Sequence, residues 1–88
     1  MIHQSHPEVL ARLRRAQGHL ATVIQMIEAG RPCADLAQQL HAVEKAIGNA
    51  KRELIQDHID HCLDGAVSQG GRSAKDAMAE IKAITKYL

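Results

Sequence analysis

The chain has 88 residues, 45% of them apolar, and a formal net charge of +1. That length makes a single domain, residues 1–88, and no run reaches the roughly 18 to 20 apolar residues of a membrane span, so a soluble protein with no membrane partner is expected. The start, Met1 to Leu10, lacks the cationic segment and apolar core of a secretion signal, which makes the cytoplasm the expected compartment. One Tyr and no Phe or Trp leave a core of Leu, Ile, Val, Ala and Met. A chain this short buries little of its surface, and self-association is expected to supply the missing core.

Ser5, Pro7 and Glu8 read as a helix start, with Ser5 as cap and Glu8 completing a capping box. Leu10, Leu13, Leu20, Ile24 and Ile27 then recur at helical spacing until Gly30 supplies a stop, so a first helix is expected near 6–29. After the Arg31-Pro32 break, Leu36, Leu40, Val43, Ile47, Ala50 and Leu54 keep the same spacing, extended by His58 and by His61 or Cys62. At 1.5 Å per residue this second helix is about 45 to 48 Å long, more than a compact monomer of this size needs. Ala66 to Arg72 reads as a linker. A third helix follows, capped by Ser73, with Ala77, Ile81, Ile84 and Leu88 on one face. The expected fold is all-α, three helices with a long central one.

Six histidines and two cysteines are the chemically notable residues. Cysteines in a reducing compartment serve more often as thiols or ligands than as a structural disulfide. His58 and Cys62 stand four residues apart, on one helix face a turn apart and ready to chelate. Cys33 precedes His58 by 25 residues, about 37 Å along a continuous helix, too far to share a metal within one chain. An antiparallel dimer of the long helices would bring Cys33 of one subunit beside His58 and Cys62 of the other, twice by symmetry. Two thiolates and an imidazole suit Cu(I); further nitrogen ligands would suit Ni(II), Co(II) or Zn(II), and His3 and His6 are candidates. His61, about 100° around the helix from Cys62, either supports the ligands from behind or is exposed.

Plainer readings exist for each residue. A buried Cys acts as a small hydrophobe, and a His near a helix C-terminus complements the dipole. A catalytic Cys62–His58 pair lacks an orienting third group and an oxyanion loop, so no enzyme is expected. Basic residues gather as Arg12, Arg14 and Arg15 on the first helix and as Lys45, Lys51 and Arg52 on the second, a pattern that fits DNA phosphates when repeated by symmetry, or else a solvated face.

The run Leu13-Arg-Arg-Ala-Gln-Gly-His-Leu20, Cys33 with Gln38-Gln39, and Glu53-Leu-Ile-Gln-Asp-His58 with Cys62 resemble the CsoR/RcnR family of bacterial metal-responsive repressors, which includes the formaldehyde sensor FrmR. The resemblance implies three-helix protomers forming four-helix-bundle dimers and a disc-shaped tetramer, a dimer of dimers. It also implies a cross-subunit metal site at Cys33, His58 and Cys62, and operator DNA bound by the apo protein and released on metal binding, which derepresses efflux genes. Ile2 lacks the N-terminal Pro of the formaldehyde sensors, and His58 is lost in persulfide-sensing relatives. Copper sensors often carry a Tyr where Pro32 stands, and the family's frequent Arg in mid-helix is Glu44 here, which either moves DNA contact toward Lys45 or weakens it. The likeness therefore favours Ni(II) or Co(II), as in proteobacterial nickel and cobalt regulators, with Cu(I) the alternative. A helical metal-storage module and a structural protein with incidental thiols are the competing functions.

Overall fold

The computed structural model describes residues 6–68 and 74–88, which form three helices: α1, His6–Glu28; α2, Cys33–Ser68; and α3, Ala74–Thr85. α2 has 36 residues, about 54 Å at helical rise. The radius of gyration is 17.9 Å and the long dimension 58 Å, against about 12 Å for a compact chain of this length. α1 folds back along α2, and α3 packs on α2 without touching α1 among the described residues. No described helix is long and apolar enough to cross a membrane.

The reversal between α1 and α2 is written in five residues. Gly30 has φ of 73°, a left-handed conformation that glycine adopts without a Cβ penalty. Its amide donates to the Ile27 carbonyl at 3.1 Å and that of Arg31 to Met26 at 3.1 Å, the paired bonds of a Schellman cap. The Pro32 carbonyl then accepts from the Leu36 amide, opening α2. Asp35 lies in its first turn and pairs with Arg31 at 3.3 Å, a carboxylate placed where the helix dipole favours it.

α2 outruns its expected end by a turn and a half. Gly65 does not stop it, and Ala66 to Ser68, assigned to a linker by their composition, are its last residues. A lone glycine costs a helix only about 1 kcal/mol, which one further turn of hydrogen bonds offsets. The rest of that linker and the Ser5 and Ser73 caps fall outside the described residues. Leu88, expected on the packed face of α3, lies past its end and is 66% exposed.

The hairpin covers only some of the apolar faces. Within the protomer α1 buries Val9, Ala16 and Val23, spaced by seven, and α2 buries Val43 and Ala50, also spaced by seven. Half-buried Arg12, His19 and Met26 alternate with the α1 set, giving the three-four rhythm of a coiled-coil seam built from small and polar residues. Two cross-helix contacts fill it: Arg12 Nε lies 3.1 Å from Glu53 Oε2, and His19 Nε2 donates to Gln39 Oε1 at 2.7 Å. The larger set, Leu10, Leu13, Leu20, Ile24 and Ile27 with Leu40 and Ile47, is exposed. It sits one residue further on, about 100° round each helix. These periodic apolar residues therefore form a stripe that the hairpin leaves uncovered.

Candidate metal centre

His58 and Cys62 occupy successive turns of α2, and Glu80 reaches them from α3. One donor atom of each lies within 4.8 Å of the others. The Cys62 thiol donates to Glu80 Oε2 at 2.9 Å, and His58 Nε2 stands 3.7 Å from the same oxygen. Cys62 is 1% exposed, whereas the side chains of His58 and Glu80 are 32% and 45% exposed. The thiol thus forms the floor of the cluster and the other two groups its rim. Burial of Cys62 follows from its place one heptad beyond buried Ile55, with buried Ala77 on α3.

These three groups fit a transition metal. Bonds of about 2.0 to 2.3 Å to N, O and S in tetrahedral array require donor atoms about 3.3 to 3.8 Å apart, and Glu80 Oε2, 2.9 Å from the Cys62 thiol and 3.7 Å from His58 Nε2, stands near that spacing from both. One imidazole, one thiolate and one carboxylate form a mixed set that suits borderline dications such as Ni(II) and Co(II); Cu(I) prefers softer surroundings. Loading requires Cys62 to lose its thiol proton, so binding releases protons.

Glu80 was not among the residues expected here. Its signal was weak: a carboxylate on a short helix whose register against α2 cannot be read from periodicity. In hindsight its position between Ala77 and Ile81 places it on the packed side of α3. Cys33 lies exposed at the opposite end of α2, and the unbroken helix keeps it about 37 Å from His58. His6 is half-buried and lines an apolar groove of about 310 Å³ with Val9, Leu10, Leu13 and Leu54. Leu54 is one turn before His58, so the start of α1 lies at the metal end of α2. His3 lies outside the described residues. His61 is exposed, about 100° around the helix from Cys62.

The basic residues divide. Arg12 is held by Glu8 at 3.3 Å and by Glu53 at 3.1 Å, so it serves the hairpin. Arg12, Arg15, His19, Ala46 and Asn49 line a groove of about 300 Å³ between α1 and α2. Arg52 donates to Asn49, which joins it to that groove. Lys45, Lys51 and Arg52 share a second groove with His41, Glu44 and Gly48, so Glu44 sits among the cations. Arg14 is exposed.

Residues 5–87 match the family described as a metal-sensitive transcriptional repressor. The chain is 36% identical over 77 residues to the copper-sensing transcriptional repressor RicR of Mycobacterium tuberculosis, covering 88% of this chain and 80% of that protein. It is 31% identical over 87 residues to the copper-sensing repressor CsoR of Bacillus subtilis, covering 96% of this chain and 84% of that one. Its fold matches the nickel-responsive transcriptional regulator InrS with a TM-score of 0.85 at 28% identity, covering 99% of this chain and 96% of the other. The sequence relatives are thus copper sensors of a mycobacterium and a bacillus, not the proteobacterial nickel and cobalt regulators that the resemblance favoured. That preference leaned on the histidine-rich start, on the stretch from Asp57 to Cys62 and on Pro32 in place of the copper sensors' Tyr.

Proposed function

Because the chain belongs to the metal-sensitive transcriptional repressor family, we propose that it represses from operator DNA in its apo form and is released by Ni(II) or Co(II), derepressing metal-efflux genes. The observation that carries the metal assignment is the convergence of His58, Cys62 and Glu80 on one point. Cys33 and an N-terminal His complete the ligand set, Cys33 coming from a second copy because α2 is continuous from Cys33 to Ser68. His6 stands at the correct end of α2 for the N-terminal contribution, and His3 precedes it by three residues.

Assembly follows from the uncovered stripe. Leu10, Leu13, Leu20, Ile24, Ile27, Leu40 and Ile47 are each between 39% and 53% exposed, and covering each would contribute about 1 kcal/mol. An antiparallel dimer along this stripe, paired again into a tetramer, buries them and repeats the basic groups by symmetry. Arg14, Arg15, Lys45, Lys51 and Arg52 are the DNA contacts in this reading, with Arg12 ordering the hairpin behind them.

His58 and Cys62 of α2 and Glu80 of α3 would hold a divalent ion, which would supply positive charge between the two helices. Cys62 would ligate as the thiolate, without the proton that it now donates to Glu80. Arg52 is six residues before His58 on the same rigid helix, about 9 Å along its axis, so a shift of α2 at the site reaches the DNA face directly. Cu(I) is the second reading, favoured by the copper-sensing relatives and by two available thiols. Anaerobic titration separates them: Ni(II) and Co(II) are expected to give thiolate charge-transfer bands and to abolish a mobility shift of the upstream DNA. Stoichiometric Cu(I) binding with no spectral response to Ni(II) would overturn the nickel or cobalt assignment. Absence of any shift, with or without metal, would leave a metal-storage module.

A further inference from the structure

Cys33, His58 and Cys62 lie within about 40° of one another around α2 at 100° per residue, and Leu40, Glu44, Ile47 and Lys51 fall in the same sector of about 60°. The face that carries the thiols and the apolar stripe thus also carries two opposite charges. Glu44 and Lys51 are exposed, and among the described residues neither makes an ion pair or side-chain hydrogen bond within the protomer. Lys45 and Arg52 lie about 100 to 120° round the helix from Lys51, on a different side. Resting on the reading that Cys33 completes the metal site of a second copy, we infer that Glu44 of one copy pairs with Lys51 of the other, twice across the two-fold axis, and that these pairs set the register of the two long helices.

An antiparallel pairing that sets Cys33 of one copy level with Cys62 of the other passes the two-fold axis between Ile47 and Gly48 and sets Glu44 level with Lys51. Setting Cys33 level with His58 instead moves Glu44 and Lys51 about 6 Å apart along the axis, still within the combined reach of the two side chains. The groove of about 480 Å³ that both charges line is also lined by Ile47 and Gly48, so it lies on the axis and faces its own copy. The contact is self-complementary: the rotation that places Glu44 against Lys51 also places Lys51 against Glu44. A parallel, in-register pairing would set Glu44 against Glu44 and Lys51 against Lys51. Leu40 and Ile47 offer apolar area in either direction, so the charges are what select between the two. Lys51 is thereby committed to the interface, and the phosphate contacts narrow to Arg14, Arg15, Lys45 and Arg52.

Sedimentation of metal-free Glu44→Lys, of Lys51→Glu and of their equimolar mixture tests this. Each variant alone surrounds the axis with charges of one sign and is expected to assemble at least about tenfold more weakly than wild type. A mixed pair of subunits restores both opposite-charge contacts, so the mixture is expected to sediment as wild type at a concentration where each variant alone is monomeric. Both side chains are exposed in the protomer, and each variant is expected to keep its helix content by circular dichroism. Variants that assemble as wild type, or a mixture that stays monomeric, overturn the inference alone. A wild type that is monomeric with and without metal overturns the cross-subunit reading as well.

Discussion

Cys33 and Cys62 mark opposite ends of one helix, and their surroundings differ in every respect. Cys62 is buried and donates to Glu80, with His58 a turn away. Cys33 sits exposed in the first turn of α2, and the only charged pair around that turn among the described residues is Arg31–Asp35. One end is a nearly complete site held by two helices, the other a single donor offered outward. A rigid helix of 36 residues cannot bend to join them, so whatever unites the two ends has to come from outside the protomer. The exposed Leu and Ile stripe between them is the surface that would do it.

Placing a charge in the middle of that stripe should have the largest effect. Ile47→Glu is expected to abolish assembly, read as a monomer in sedimentation, and to remove any contribution of Cys33 to metal binding; retention of the oligomer would place the interface elsewhere. Cys62→Ser keeps a hydroxyl for Glu80 but removes the thiolate, and is expected to lower Ni(II) affinity at least about 100-fold while sparing DNA binding by apo protein. Mixing Cys33→Ser with Cys62→Ser subunits addresses the comparison most directly. A cross-subunit site is restored in about a quarter of positions after random exchange, detectable as returning charge-transfer absorbance, whereas a site within one chain gains nothing. Glu80→Gln is a smaller change, expected to weaken Ni(II) by about 10- to 100-fold and Cu(I) less, because a carboxylate matters less to the softer ion. Smallest is the hairpin pair: an Arg12→Met and Glu53→Gln double-mutant cycle should return no more than about 1 kcal/mol of coupling in thermal unfolding, since both side chains are partly exposed and screened.

Much of this was visible beforehand at the level of elements. Helix α1 and the start of α2 were legible because Gly30 and Pro32 act locally, through allowed backbone angles and a missing N–H. The end of α2 was not, because Gly65 carries only a propensity penalty. The pairing of His58 with Cys62 was legible from a four-residue spacing. Glu80 was hidden because its partners lie on another helix, and docking of α3 on α2 is a tertiary event with no period of its own. His19 and Gln39 were equally hidden as a pair, being 20 residues apart on opposite arms of the hairpin.

By itself the sequence determined three helices, a long central one, a chelating pair near its end and a thiol too distant to join it in the same chain. These rest on rise per residue, on helical periodicity and on the backbone limits of Gly and Pro, all local properties. Only the tertiary structure decided which stripe the hairpin would cover. It chose Val9, Ala16 and Val23, with Arg12–Glu53 and His19–Gln39 between them, and left the larger apolar face open. Small side chains let two helices approach closely, and polar pairs fix their register. The same packing set α3 against α2 and so brought Glu80 to Cys62, turning a pair of donors into a three-sided site.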